Sequence, residues 1–235
     1  RLANLHGLKA GEVSKAAADA WPMLSTDHVM RRLRSRTLLT DLGLDPAFID
    51  DWLADPVDGA LLDEVRARVE GVPATYGHVI VDEAQDLSLL QLRAVQRRSA
   101  GLTLVGDDAQ RSTPHGLGLR AAAVELAVAP AEMATAYRMS AEIAEWLNAH
   151  AEAHGIDAVE LLGIRPTGTP VEEVPGTRAT AEARHAALAD QWPNTALITV
   201  EDTWIHKGVE YDAVVVDTAG MDAPQIYLAA SRAAH

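Results

Sequence analysis

The feature that most restricts this chain is a repeated local pattern. Short apolar, β-rich runs end abruptly in acids or other polar residues, and helical stretches separate them. His78-Val79-Ile80-Val81 stops at Asp82-Glu83, and Leu102-Thr103-Leu104-Val105 stops at Gly106-Asp107-Asp108. Further runs lie at 133–136, 196–200 and 213–216, with helical periodicity at about 88–98, 140–154 and 178–191. Strands that are apolar throughout and alternate with helices predict an α/β fold with a parallel sheet covered on both faces. In such sheets ligands bind beyond the carboxyl ends of the strands. The polar residues of this sequence gather at those ends: Asp82, Glu83, Gln85 and Asp86 after the first run, Asp107 to Gln110 after the second, and Tyr137-Arg138 after the third.

Upstream, residues 8–70 read as a helical block. Apolar positions recur at helical spacing in Val29, Leu33 and Leu38, and again in Leu61, Leu62, Val65 and Val69. Asp45-Pro46 marks a helix start and Gly71 followed by Pro73 marks an end. The Gly-, Pro- and Thr-rich segment 163–177 is expected to be a loop.

Composition narrows the function. The 235 residues contain no cysteine, which excludes disulfides and thiolate metal sites and fits a reducing compartment such as the cytoplasm. No apolar run is long enough to span a bilayer. No G-x-S-x-G elbow or H-E-x-x-H spacing occurs. The formal charge of -14 is the wrong sign for a chain that grips nucleic acid phosphates on its own, and favours a protein partner. The arginine groups at 31–36 and 93–98 read as solvated helix faces.

An acidic pair after a strand suits magnesium chemistry. A hard Mg²⁺ takes carboxylate oxygen and keeps several waters. A second carboxylate can orient and deprotonate a water that attacks a γ-phosphate. The surrounding sequence extends this reading. His78 to Ser88 resembles motif II, the Walker B segment, of UvrD/Rep-like superfamily 1 helicases, and Leu104 to Gln110 resembles motif III. Ala136-Tyr137-Arg138 is similar to motif IV, His206 to Asp212 to motif V, and Tyr227 to Ala233 to motif VI. The five segments follow the family's order across 78–233.

The resemblance implies two RecA-like pieces of a P-loop NTPase fold, divided as 1–128 and 129–235, with ATP and Mg²⁺ in the cleft between them. It assigns Mg²⁺ to Asp82, water activation to Glu83 and γ-phosphate sensing to Gln110. Arg138 and Arg232 would contact the γ-phosphate, and Gly208 and Glu210 would lie against the nucleotide, Glu210 at the ribose. Lys207, Tyr137, Tyr227 and Trp204 are expected to be solvated or packing residues. Softer matches around these motifs resemble the HelD family of helicase-like factors that bind bacterial RNA polymerase and release it from nucleic acid. They are Ala20 to Ser25, Leu61 to Glu64, Tyr76-Gly77-His78, Gln91-Leu92-Arg93 and Arg165 to Pro170. RNA polymerase is therefore the expected partner, with DNA or RNA a weaker one.

Three departures limit the expected activity. No Gly-x-x-x-x-Gly-Lys-Ser/Thr loop occurs, and the three lysines are Lys9, Lys15 and Lys207. The phosphate cradle is thus expected upstream of Arg1, in a longer protein, and the chain alone is expected not to hydrolyse ATP. Motif III runs into Arg111 to His115 without the aromatic residue that stacks a base. Asp202 stands where motif V would otherwise carry threonine, and it would repel phosphate. The alternatives are a 3′-to-5′ DNA helicase of the UvrD/Rep type and a non-catalytic binding module.

Overall fold

The computed structural model describes residues 11–12, 14–15, 24–72 and 75–235. Ala20 to Met23 and Pro73, both used in the sequence reading, lie outside the described residues. The fold is mixed α/β, and the chain divides into two compact units. One comprises the described residues up to Val79 together with Leu90–Leu102, and the other Ile80–Leu89 together with Thr103–His235.

The first unit is helical because its sequence supplies both caps and apolar spacing. Helices α1 (Thr26–Leu33), α2 (Arg36–Asp41), α3 (Pro46–Ala54) and α4 (Gly59–Val69) begin after Ser25, Ser35, Asp45 and Asp58. Each of those side chains accepts an otherwise unpaired backbone N–H of the first turn. Helix α5 (Leu89–Arg97) belongs mainly to this unit.

The arginine groups are not uniformly solvated faces, as the sequence suggested. The Arg34 guanidinium donates to the carbonyls of Trp52 (2.5 Å), Leu53 (2.8 Å) and Asp55 (2.7 Å), closing the end of α3. Arg97 pairs with Asp63 at 2.7 Å and Glu64 at 2.5 Å, and Arg98 also pairs with Asp63. These forks tie α5 to α4. Short charged side chains on one helix lie opposite long ones on another, a relation that spacing within a single helix cannot reveal.

The second unit holds most of the α/β alternation. Strands β1 (Val79–Val81) and β2 (Leu102–Leu104) pair, and their backbone partners rise together in sequence, so they run parallel. Helix α6 (Leu119–Leu126) follows. Strand β3 (Thr135–Ala136) pairs in parallel with β4 (Leu162–Gly163), and β5 (Thr195–Ile198) with β6 (Ala213–Val216). Helices α7 (Ala141–His154), α8 (Arg178–Ala189) and α9 (Ala223–Ala230) complete the unit. Among the described residues the strands form three separate pairs, not one continuous sheet. Coverage on both faces also fails at β1, where Ile80 is 72% exposed.

Ile143, Leu147 and Ala151 of α7 repeat at helical spacing and meet Met139, Ala109, Tyr227 and Ala233 in one core. Beside it, Ala196 and Ile198 of β5 meet Ala229 of α9. A Cβ on Gly163 would lie 2.5 Å from Ala141 Cα, so only glycine lets β4 approach the start of α7. No helix among the described residues is long and apolar enough to cross a membrane.

Two measurements check this packing. Leu147 is fully buried, and Leu147→Ala should lower unfolding free energy by about 2–5 kcal/mol in denaturant titration. In the first unit, the Arg98 guanidinium, aided by Arg97, holds the Asp63 carboxyl at about 2, below its ordinary 3.8. Its contribution to stability is therefore present above the unfolded value and lost as pH falls through the folded one. The urea midpoint should drop from about pH 4 toward about pH 2, and Asp63→Asn should flatten that drop.

Candidate functional site

The residues singled out at the strand ends converge within the second unit. The turn after β1 starts the site. Asp82 is exposed and accepts the Glu83 N–H through Oδ1 at 2.9 Å. Glu83 adopts a left-handed backbone, with φ of 53°, before the 3₁₀ turn Ala84–Asp86. That conformation is disfavoured for a residue with a Cβ and persists only where surrounding contacts enforce it.

Gln85 supplies one such contact. Its side chain is fully buried. Its Nε2 donates to Glu83 Oε2 at 2.6 Å, and its Oε1 accepts the Asp107 N–H at 3.2 Å. Gly106 makes room for it, since a Cβ there would sit 2.0 Å from Gln85 Oε1. Gln85 was visible as part of the Asp-Glu-Ala-Gln-Asp run, but its role as the brace between the two strand ends was not.

The turn after β2 mirrors the first. Asp107 accepts the Ala109 N–H at 2.9 Å and the Gln110 carboxamide at 2.9 Å. Burial pushes the Asp107 carboxyl above its ordinary value, against those two donors. Asp108 caps α6 by accepting from Leu119 N (2.5 Å) and Arg120 N (3.1 Å).

Two guanidinium groups come from elsewhere in the unit. Arg232 is 4% exposed and donates to Gln110 Oε1 at 2.6 Å and Ser231 Oγ at 2.9 Å. Burial, then the neighbouring charge of Arg138, lowers the Arg232 pKa, and Glu83, Glu210 and Asp107 oppose that shift. Arg138 pairs with Glu210 and donates to the Ser231 carbonyl at 3.2 Å, while its buried Nε has no partner. Arg165 fixes this corner by donating to the carbonyls of Arg138 (2.5 Å) and Ala234 (2.8 Å). Gly208 turns the chain with φ of 75°, ahead of Glu210.

Lys207 differs most from its expected role. It is not solvated, with a side chain only 11% exposed. Its ammonium reaches Asp86 Oδ2 at 2.5 Å, the Gln110 carbonyl at 2.9 Å, Ser112 Oγ at 3.3 Å and Glu83 Oε2 at 3.2 Å. Burial raises the Asp86 carboxyl, but the Lys207 ammonium and the Ser112 hydroxyl and amide outweigh it and hold the carboxyl below its ordinary value.

Other expectations divide. Tyr227 is buried in the core, as a packing residue should be, and burial pushes its hydroxyl pKa up. Tyr137 is 74% exposed and Trp204 40% exposed, so neither is a packed side chain. Asp202 points one oxygen inward, accepting Thr199 N at 2.7 Å and Thr199 Oγ1 at 2.8 Å.

The donor set bears on which ligands could fit. The guanidinia of Arg138 and Arg232 are the groups of this cluster whose chemistry suits an anion. Among the described residues no group of three or more acids or histidines could hold a metal by itself. Mg²⁺ often binds through one or two carboxylates and completes its shell with water and phosphate oxygen, so exposed Asp82 fits that role. Set beside known proteins, the chain matches no protein-family model and no curated protein sequence.

The brace at Gln85 can be tested by stability alone. Gly106→Ala should displace the Gln85 carboxamide from the Asp107 N–H and cost about 1–3 kcal/mol, read by denaturant unfolding.

Proposed function

We propose that this chain carries the hydrolytic and sensing residues of an ATP-driven motor of the superfamily 1 helicase-like type. Within that type we take it as a HelD-like factor that remodels or releases RNA polymerase. The observation that carries the reading is convergence. Five separated sequence segments, at 82–86, 107–112, 138, 207–210 and 231–232, are linked by direct hydrogen bonds and ion pairs in one unit. Their chemistry is the complement that phosphoryl transfer to water needs: carboxylates for metal and proton, guanidinia for developing phosphate charge.

In this reading ATP with Mg²⁺ supplies the phosphoryl group to be transferred. Asp82 would hold the metal with the help of water. Glu83 would orient a water and take its proton. Arg138 and Arg232 would hold phosphoryl oxygens, and Glu210 with Gly208 would lie near the ribose. Gln110, bonded to both Asp107 and Arg232, would report the occupancy of that position. These 235 residues contain no phosphate-cradling loop of the Gly-x-x-x-x-Gly-Lys-Ser/Thr form, and no residue is assigned that role. Two RecA-like pieces of a P-loop NTPase fold, meeting near residue 128, belong to the same proposal.

The polymerase partner rests on the flanking resemblance and on the -14 charge, which disfavours unaided binding to a polyanion. A UvrD/Rep-type DNA helicase is the second reading, favoured by the exposure of the aromatic residues Tyr137 (74%) and Trp204 (40%).

Two expected outcomes test these assignments in the protein expressed from its complete gene. Glu83→Gln should abolish ATP hydrolysis while leaving binding of a fluorescent ATP analogue within a few-fold, and normal turnover in that variant removes the base assignment. Pull-down should retain core RNA polymerase. Robust duplex unwinding without polymerase binding would move the reading to the helicase.

A further inference from the structure

We infer that Lys207 is a positioning residue for Glu83. Its ammonium selects which carboxylate oxygen is left to meet a water. The inference rests on the nucleotide-hydrolysis reading and adds a residue to which no role in it had been given.

Two contacts restrain the Glu83 carboxylate. Gln85 Nε2 at 2.6 Å and Lys207 Nζ at 3.2 Å both reach the same oxygen, Oε2. Held there from two sides, the carboxylate is restrained in rotation, and neither of these two contacts occupies Oε1. The carboxamide of Gln85 holds the carboxylate by a hydrogen bond alone, and the Lys207 ammonium adds a charge–charge attraction to the same oxygen. The Glu83 backbone adds to the need for such a hold. Its left-handed φ of 53° is unfavourable, and the side-chain anchors join the backbone bonds from Ala84 N to the Val105 carbonyl and from Asp86 N to the Glu83 carbonyl in holding the turn.

Lys207 can be such an anchor because it is itself fixed. Its ammonium is bonded to Asp86 Oδ2 at 2.5 Å, to the Gln110 carbonyl at 2.9 Å and to Ser112 Oγ at 3.3 Å. Asp86 is in turn held by Ser112 N at 2.8 Å and Ser112 Oγ at 2.5 Å. The ammonium therefore sits at a point defined by the turns after β1 and β2. From there it reaches Glu83, the candidate base, and the backbone of Gln110, the candidate sensor. Displacement of the 207–210 segment would withdraw the charge from Glu83.

A pin that merely joins the turns would make the same bonds to Asp86 and Gln110, so the test must read orientation of Glu83 and not only stability. The protein expressed from its complete gene is assayed as Lys207→Gln, Lys207→Arg, Glu83→Gln and the Lys207→Gln/Glu83→Gln double variant. The readouts are kcat, KM for ATP and thermal unfolding. Lys207→Gln is expected to lower kcat about tenfold or more with KM within about twofold, since small misplacements of a reacting group are costly. Lys207→Arg should recover part of that loss, and the double variant should be no slower than Glu83→Gln alone, because the two residues act as one unit. Turnover lost in Glu83→Gln but kept in Lys207→Gln overturns the inference alone. So does a double variant slower than Glu83→Gln, or a kcat loss matched by loss of folded protein. Turnover unaffected by Glu83→Gln removes the base assignment and the inference with it, whereas absence of ATP turnover in the unaltered protein overturns the nucleotide reading itself.

Discussion

One buried ammonium organises the second unit's polar centre. Lys207 is nearly enclosed, and a positive charge so placed is tolerated only because two carboxylates, a carbonyl and a hydroxyl surround it. Removing either side of that arrangement leaves uncompensated charge or unpaired acceptors. The turns after β1 and β2 are consequently locked to each other and to the 207–210 segment. The same enclosure explains why Asp86 stays ionised despite burial.

The arrangement also separates local from global electrostatics. The chain as a whole carries -14, yet Arg138, Lys207 and Arg232 lie in one neighbourhood. Over distances longer than a Debye length, about 8 Å at physiological salt, an approaching polyanion meets the overall charge through a screening atmosphere. At contact it meets fixed donors.

Much of the fold was legible because its signals are local. Asp45-Pro46 places a cap and a proline in the first turn, and α3 starts there. The apolar spacing of 140–154 and 178–191 matches α7 and α8 to within a residue or two. The apolar runs at 79–81, 102–104 and 213–216 are strands. Where reading failed, the deciding partner lay far away in sequence. Lys207 is an isolated lysine in a polar stretch until Asp86 is placed against it, 121 positions away. Arg97 is a helix-face arginine until Asp63 and Glu64 are set opposite. The run expected at 133–136 contains β3, but the two-residue β4 carries too little pattern to be recognised and overlaps the segment expected to be a loop, where Gly163 allows the close approach to Ala141. That Asp82, Glu83, Gln110 and Arg138 follow apolar runs was legible in the sequence, Arg232 was singled out only by the resemblance, and their mutual bonding required the fold.

The left-handed turn at Glu83 has a mechanical consequence. Most residues of a folded turn lose favourable contacts when it loosens, but Glu83 would also shed a backbone penalty of roughly 1–2 kcal/mol. That corner is therefore spring-loaded. If its anchors at Gln85 and Lys207 slacken, the backbone at Glu83 gains by relaxing where its neighbours lose.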